Sequence, residues 1–143
     1  MGTEAVVGGI PDGFVAFDIS DDFVRLIGPL HVKLEPDGPR VGMMLEKRHG
    51  NPLGIAHGGC LVTLADMVMG FGCGFATRTP GVHPTITLNS DFVRGARIGN
   101  WIEGKAIITR RTPNFIFARC ELVCAGEIVL SASGVFKVAN PKS

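Results

Sequence analysis

The sequence predicts an α+β domain in which a curved antiparallel sheet wraps one long central helix. Three observations carry that expectation. After His57, the residues Leu61, Leu64, Ala65, Val68, Gly72 and Phe75 recur at helical spacing, which argues for one long helix running to Thr77. The opposite side carries Val62, Met69, Gly70 and Cys73, so the helix is apolar almost all round and has to be enclosed. Beyond it, residues 84–93, 101–111, 114–124 and 128–138 alternate apolar and polar with period two, the pattern of an antiparallel sheet with one face on a core. Loops cannot shield such a helix, so the sheet has to curl around it.

The elements follow in chain order. At 143 residues the chain fits one domain. Residues 1–14, glycine-bearing before Pro11 and Asp12-Gly13, read as a flexible arm, residues 15–139 as the domain and 140–143 as a tail. Ser20-Asp21-Asp22 is placed to cap a short helix through Ile27. Residues 29–35 and 40–46 are extended runs separated by Pro36-Asp37-Gly38-Pro39, a hairpin signal. Residues 47–52 form a polar loop leading to the long helix, and Thr79-Pro80-Gly81 ends that helix. In the strands, Ile86, Leu88, Ser90 and Phe92 share one face, and Thr85, Thr87, Asn89 and Asp91 the other. Ile102, Gly104, Ala106 and Ile108 fall together, as do Ile116, Ala118, Cys120, Leu122 and Cys124, and Ile128, Leu130, Ala132, Gly134, Phe136 and Val138.

Composition narrows the function. A net charge of +1 gives no sign of a nucleic-acid surface. No basic start followed by an apolar run opens the sequence, so the cytoplasm is the expected location. The long helix approaches the length of a membrane span, but its central Asp66 and the flanking strands argue against a membrane. Cys60, Cys73, Cys120 and Cys124 lack metal-ligand spacing and read as core thiols of a reducing compartment. Neither a metal nor a cofactor is expected.

Two features of the helix carry chemistry. The first N–H groups of a helix lack intrahelical partners and sit at the positive end of its dipole. Gly58 and Gly59 have no Cβ, so a ligand oxygen can approach those donors. A glycine-rich helix start capped by His57 explains the same residues without a ligand. Asp66, in the middle of an apolar helix, is costly there unless it is paired or used. The run Gly70-Phe71-Gly72-Cys73-Gly74-Phe75 places three glycines within the helix; close packing or room for an acyl chain would account for them. His31 and His83 read as structural or solvated, and His49 lies close enough to Asn51 to line the helix entrance.

The run Asn51-Pro52-Leu53-Gly54-Ile55-Ala56-His57-Gly58-Gly59, followed by Leu64-Ala65-Asp66, resembles the hotdog-fold acyl-CoA thioesterases of the phenylacetate-degradation and thioesterase superfamily member 2 type, over roughly residues 15–139. The resemblance implies hydrolysis of acyl-CoA by a homotetramer built as a dimer of dimers. It implies that Gly58 N–H polarises the thioester carbonyl while His57 shapes the entrance. Asp66 matches the catalytic acid, as general base or as nucleophile. Asn51 matches a residue that holds the carbonyl or the water, and Thr85 falls where one branch has a water-orienting serine. Gly59 belongs to the same donor pair. A Gly-Lys or Gly-Arg turn of many relatives is replaced here by Arg110-Arg111-Thr112-Pro113-Asn114, leaving Arg94, Arg97, Arg110 and Arg111 as candidates for the CoA phosphates.

The spacing of the motif has its own consequence. His57 and Asp66 are nine residues apart, roughly 13 Å along a helix and on opposite sides of it. They cannot address one carbonyl, so the expected site is shared between two antiparallel copies of the chain. Two other functions fit the fold: a non-catalytic acyl-CoA sensor, which has no need of Asp66, and a dehydratase or hydratase, which pairs a histidine and an acid in a motif not found here.

Overall fold

The computed structural model describes residues 9–18, 21–79 and 81–139. The first eight residues of the expected arm, Ser20, Pro80 and the 140–143 tail lie outside the described residues.

Eight strands form one antiparallel sheet around a single long helix, in the order β1-β2-β3-β5-β7-β8-β4, with β6 pairing β7 off that path. β1 (Val15–Phe17) precedes α1 (Asp22–Ile27). Asp21 caps α1 by accepting the Val24 N–H at 3.1 Å, which satisfies one orphan donor of the first turn. β2 (Leu30–Glu35) and β3 (Gly38–Met44) pair up to Glu35–Gly38, so the connection is Pro36-Asp37 alone and tighter than the expected four-residue turn. Gly38, at φ +139, can join the strand because it lacks a Cβ.

α2 (Gly58–Thr77) is the enclosed helix. Leu61, Leu64, Ala65, Val68, Met69, Gly72 and Cys73 are its buried residues. Each large side chain so enclosed contributes roughly 1.5–3 kcal/mol relative to exposure. The buried stripe includes Met69 and Cys73 and leaves Phe75 exposed, a rotation from the expected face. Gly72 is close packing: a Cβ there would lie 2.3 Å from Ala106 Cβ. At Ala106 the expected 101–111 strand divides into β5 (Trp101–Lys105) and β6 (Ile107–Arg111). β5 pairs β3 and β7, whereas β6 pairs only β7. The break lets the sheet bend around the helix while Ile102, Gly104 and Ile108 keep facing it.

β7 (Phe115–Cys124) and β8 (Glu127–Lys137) form a hairpin through Ala125 and Gly126, both at positive φ, 52 and 80, the geometry of a two-residue primed turn. A register shift between Leu122 and Val123 brings Val129 into the core and leaves Ile128 exposed, reversing the expected place of Ile128. β4 (Thr85–Phe92) pairs β8 on one side and closes the strand order.

Candidate active site

The loop before α2 is a closed device. Lys47–His49 makes a 3₁₀ turn, Gly50 bridges Ala56, and Asn51 N–H reaches Ile55 O at 2.9 Å. Gly54, at φ +80, returns its N–H to Asn51 O at 3.0 Å. The Asn51 side-chain oxygen accepts the Leu53 N–H at 2.9 Å, leaving the carboxamide NH₂ as its donor. Ala56 N–H is held by Ala96 O at 2.7 Å, and His57 N–H by His49 O at 2.8 Å.

His57 is the N-cap of α2, with φ −61 and ψ 137. Its Nδ1 accepts the Gly59 N–H at 3.0 Å, and its carbonyl accepts from Cys60 and Leu61 at 2.9 and 3.2 Å. The Gly59 donor is therefore taken by the cap, which corrects its expected place among the ligand-facing donors. No acceptor for Gly58 N–H occurs among the described residues. A Cβ on Gly58 would meet the Phe92 ring at 3.0 Å, so the aromatic end of β4 lies beside this donor.

Asp66 is not enclosed: it stands partly exposed on the open face of α2. Thr85 Oγ1 donates to Asp66 Oδ1 at 2.6 Å. Strict alternation would turn Thr85 outward with Thr87, but the register shifts between these two residues. Such a bulge re-aims a side chain, here onto the helix. Further along α2, Cβ atoms at Gly70 and Gly74 would meet nothing within 4 Å. The glycine run thus divides between close packing at Gly72 and open surface on either side.

The thiols near the site are not ready nucleophiles. Burial pushes Cys73 up to about 12, with the Asp66 carboxylate adding to the effect. Burial also raises Cys60, partly offset by Arg48. All four cysteines are free, and no cluster of metal-ligating side chains occurs among the described residues.

The four candidate arginines separate into two pairs. Arg94 and Arg97 lie on the segment that packs against the entrance loop, through Ile55–Arg97 and Ala56–Ala96. Arg94 also pairs with Glu127 at 3.1 Å. Arg111 donates to Ala76 O at 3.1 Å, a favourable contact of a cation with the carbonyl end of a helix. Arg110, its exposed neighbour, is at that same end, remote from Gly58. His49 is buried rather than lining the entrance. His83 is buried too, its Nδ1 accepting the Ala139 N–H at 3.0 Å, and His31 packs edge-on to Trp101. Sequence reasoning missed Phe92 as a neighbour of Gly58; its inward position in the alternation was the available signal.

One long helix with a backbone donor at its entrance and an acid farther along it, wrapped by a curved antiparallel sheet, is a hotdog-type scaffold. A family model described as "Thioesterase superfamily" matches residues 53–131, the span from the entrance loop into β8. The chain belongs to that superfamily. It is 33% identical over 128 residues to a Pseudomonas aeruginosa protein named "Putative esterase PA0474", covering 89% of this chain and 96% of that one. A point mutant of the phenylacetic acid degradation protein PaaI from Thermus thermophilus superposes with TM-score 0.72 at 27% identity, covering 83% of this chain and all of the other. The Bacillus halodurans protein BH2602, solved with CoA, gives TM-score 0.66 at 24% identity, covering 78% of this chain and 74% of that one.

Proposed function

We propose that the chain hydrolyses acyl-CoA thioesters to the free acid and CoA, at sites shared between two copies, in a dimer that pairs again into a homotetramer. The observation that carries this reading is the Asp66 carboxylate on the open face of α2, gripped at Oδ1 by Thr85, while Gly58 N–H has no acceptor among the described residues. Eight residues separate them, roughly 12 Å along the helix. One carbonyl cannot touch both within one chain. Two antiparallel helices bring the Gly58 end of one copy to Asp66 of the other. β4, paired only with β8 and exposing Ile86 and Phe92, offers an edge along which a second copy can add.

The roles follow from the chemistry. Gly58 N–H, at the positive end of the helix, stabilises the oxygen that gains charge when the thioester carbonyl is attacked. The Asn51 NH₂, without an acceptor among the described residues, would support that oxygen or the water. Asp66 Oδ2, free of Thr85, either removes a proton from water as the water attacks, or attacks the carbonyl itself to form an anhydride that water then opens. In both routes the CoA thiolate leaves and takes up a proton. Arg94 and Arg97, beside the entrance, are placed for the phosphates of CoA. The CoA held by the Bacillus halodurans relative supports that leaving group.

The test is thiol release against a panel of fatty, aryl and hydroxylated aryl acyl-CoAs, with the same acyl groups on acyl-carrier protein as a comparison. Asp66→Asn is expected to lower kcat by at least about 10²-fold without loss of folding. Co-refolding inactive Asp66→Asn with inactive Gly58→Val is expected to restore about a quarter of wild-type activity, because half the dimers are mixed and one site in each is intact. Near-normal turnover of a folded Asp66→Asn overturns the catalytic reading. No recovery at any mixing ratio overturns the shared site.

A further inference from the structure

The position of the Gly58 donor is set outside the helix. Its peptide plane is oriented by the first turn, where His57 O accepts from Cys60 and Leu61. Its location depends on the other side of His57, whose N–H is held by His49 O. His49 is 4% exposed, and both ring nitrogens are engaged. Nδ1 accepts the Glu46 N–H at 2.8 Å, and Nε2 meets Ile27 O at 2.6 Å. A backbone carbonyl accepts only, so the ring carries its proton on Nε2. Next to it, Arg48 donates to Leu26 O and Gly28 O. Three consecutive carbonyls at the end of α1 are thus taken by two adjacent side chains. Of the two, His49 alone bonds the Glu46 N–H, closing the 3₁₀ turn from its own ring, and presents the carbonyl that holds His57.

We infer that His49 is a positioning residue of the reaction: by closing the 46–49 turn it fixes the carbonyl that places the His57–Gly58 peptide, and so the oxyanion donor. This rests on the thioester-hydrolysis reading. His49 is buried with both ring nitrogens engaged, so it acts through the peptide it places. A ring that only stabilised the fold would be matched by Arg48, which grips the same end of α1 and pairs with the Glu46 side chain at 3.0 Å, but makes no bond to the Glu46 N–H. The two residues therefore separate docking of α1 from placement of the donor.

The experiment compares His49→Ala, His49→Asn, His49→Gln and Arg48→Ala by kcat and KM on the best acyl-CoA, and by the Gly58 amide signal in ¹⁵N–¹H spectra. Displacing the donor without removing it is expected to lower kcat by about 10- to 100-fold, with KM changed little because the loss falls on the transition state. The Gly58 amide shift is expected to move with kcat. Asn, whose Oδ1 can accept the Glu46 N–H, is expected to recover activity over Ala; Gln, reaching only towards Ile27 O, is not. Arg48→Ala is expected to melt earlier and keep kcat within about two-fold, since it leaves the donor in place. Wild-type kcat in a folded His49→Ala overturns the inference, as does a loss of the same size in Arg48→Ala. Should the His49 variants not fold, the wild-type imidazole decides: a proton on Nδ1 overturns the clamp, and one on Nε2 supports it. Should no acyl-CoA be hydrolysed, the functional reading fails, and an unmoved Gly58 amide in a folded His49→Ala separately overturns the positioning role.

Discussion

The two halves of the site are held by opposite means. The entrance is fixed by main chain: Gly50 to Ala56, Asn51 to Ile55, Ala56 to Ala96 and His57 to His49 are all backbone contacts. The acid is held by one side-chain hydroxyl, Thr85 Oγ1, on a strand that closes the strand order. A donor that must not move is built from groups that lack rotamers. An acid that meets another chain's substrate sits on a face and beside an edge still open to that chain. β4 reaches both halves, with Phe92 beside Gly58 and Thr85 on Asp66.

The largest effect is expected at the rigid half. Gly58→Val fills the space where the carbonyl oxygen has to sit, and its loss should match that of an oxyanion donor, about 2.7–4 kcal/mol or 10²–10³ in kcat. The new Cβ also meets the Phe92 ring at 3.0 Å, but that ring is exposed and can swing aside. Adding Phe92→Leu to Gly58→Val separates the two causes. If the double variant regains turnover, crowding by Phe92 and not exclusion of the substrate was responsible, and the oxyanion assignment falls.

A smaller effect is expected at the other half. Thr85→Val keeps the shape and removes the hydroxyl. A hydrogen bond to a charged group is worth about 1.5–3 kcal/mol, so kcat is expected to fall about 10- to 100-fold. Thr85→Ser keeps the donor and should remain near wild type. Equal losses in Ser and Val would mean that the methyl or the bulge, not the hydroxyl, matters at this position.

The same contrast explains what was legible in the sequence. α2 was plain because apolar positions recur at helical spacing through twenty residues whose one charged member is Asp66. Gly58, His57 and Asp66 were visible as a spaced motif, since their placement depends on one helix. The facing of Thr85 was not, because period two cannot show an inserted residue, and a single bulge reverses a side chain. The break at Ala106 hid for a similar reason: the inward parity of Ile102, Gly104 and Ile108 persists across it while the pairing changes. His49 read as a residue that could line the entrance, not as a buried clamp, because its partner, Ile27 O, is twenty-two residues away and is a backbone atom carrying no residue signal. β1 is three residues long, too short for any alternation to register.

The smallest effect on turnover is expected from the outer face of the sheet, where neither half of the site lies. There Lys105 Nζ donates to Glu35 at 2.7 Å and also to Asp37. Arg40 joins Glu35 at 3.3 Å and Glu103 at 3.2 Å. The hydrogen bond from Lys105, and then that from Arg40, hold the Glu35 carboxyl below its usual range; Asp37 is lowered chiefly by Lys105. A carboxyl depressed in the folded state contributes stability above its unfolded value, near 4.3 for Glu, and loses it as pH falls through the folded value. Glu35→Gln is therefore expected to melt below wild type at pH 7, with the gap closing as the pH drops below about 4. Added salt should narrow the neutral-pH gap, because these groups are near the surface. A gap that stays constant to pH 3 would mean that Glu35 acts through packing and not through its charge. Turnover at neutral pH is expected to be unchanged. If it fell, the outer face would have to be counted with the entrance and the acid as a third part of the site.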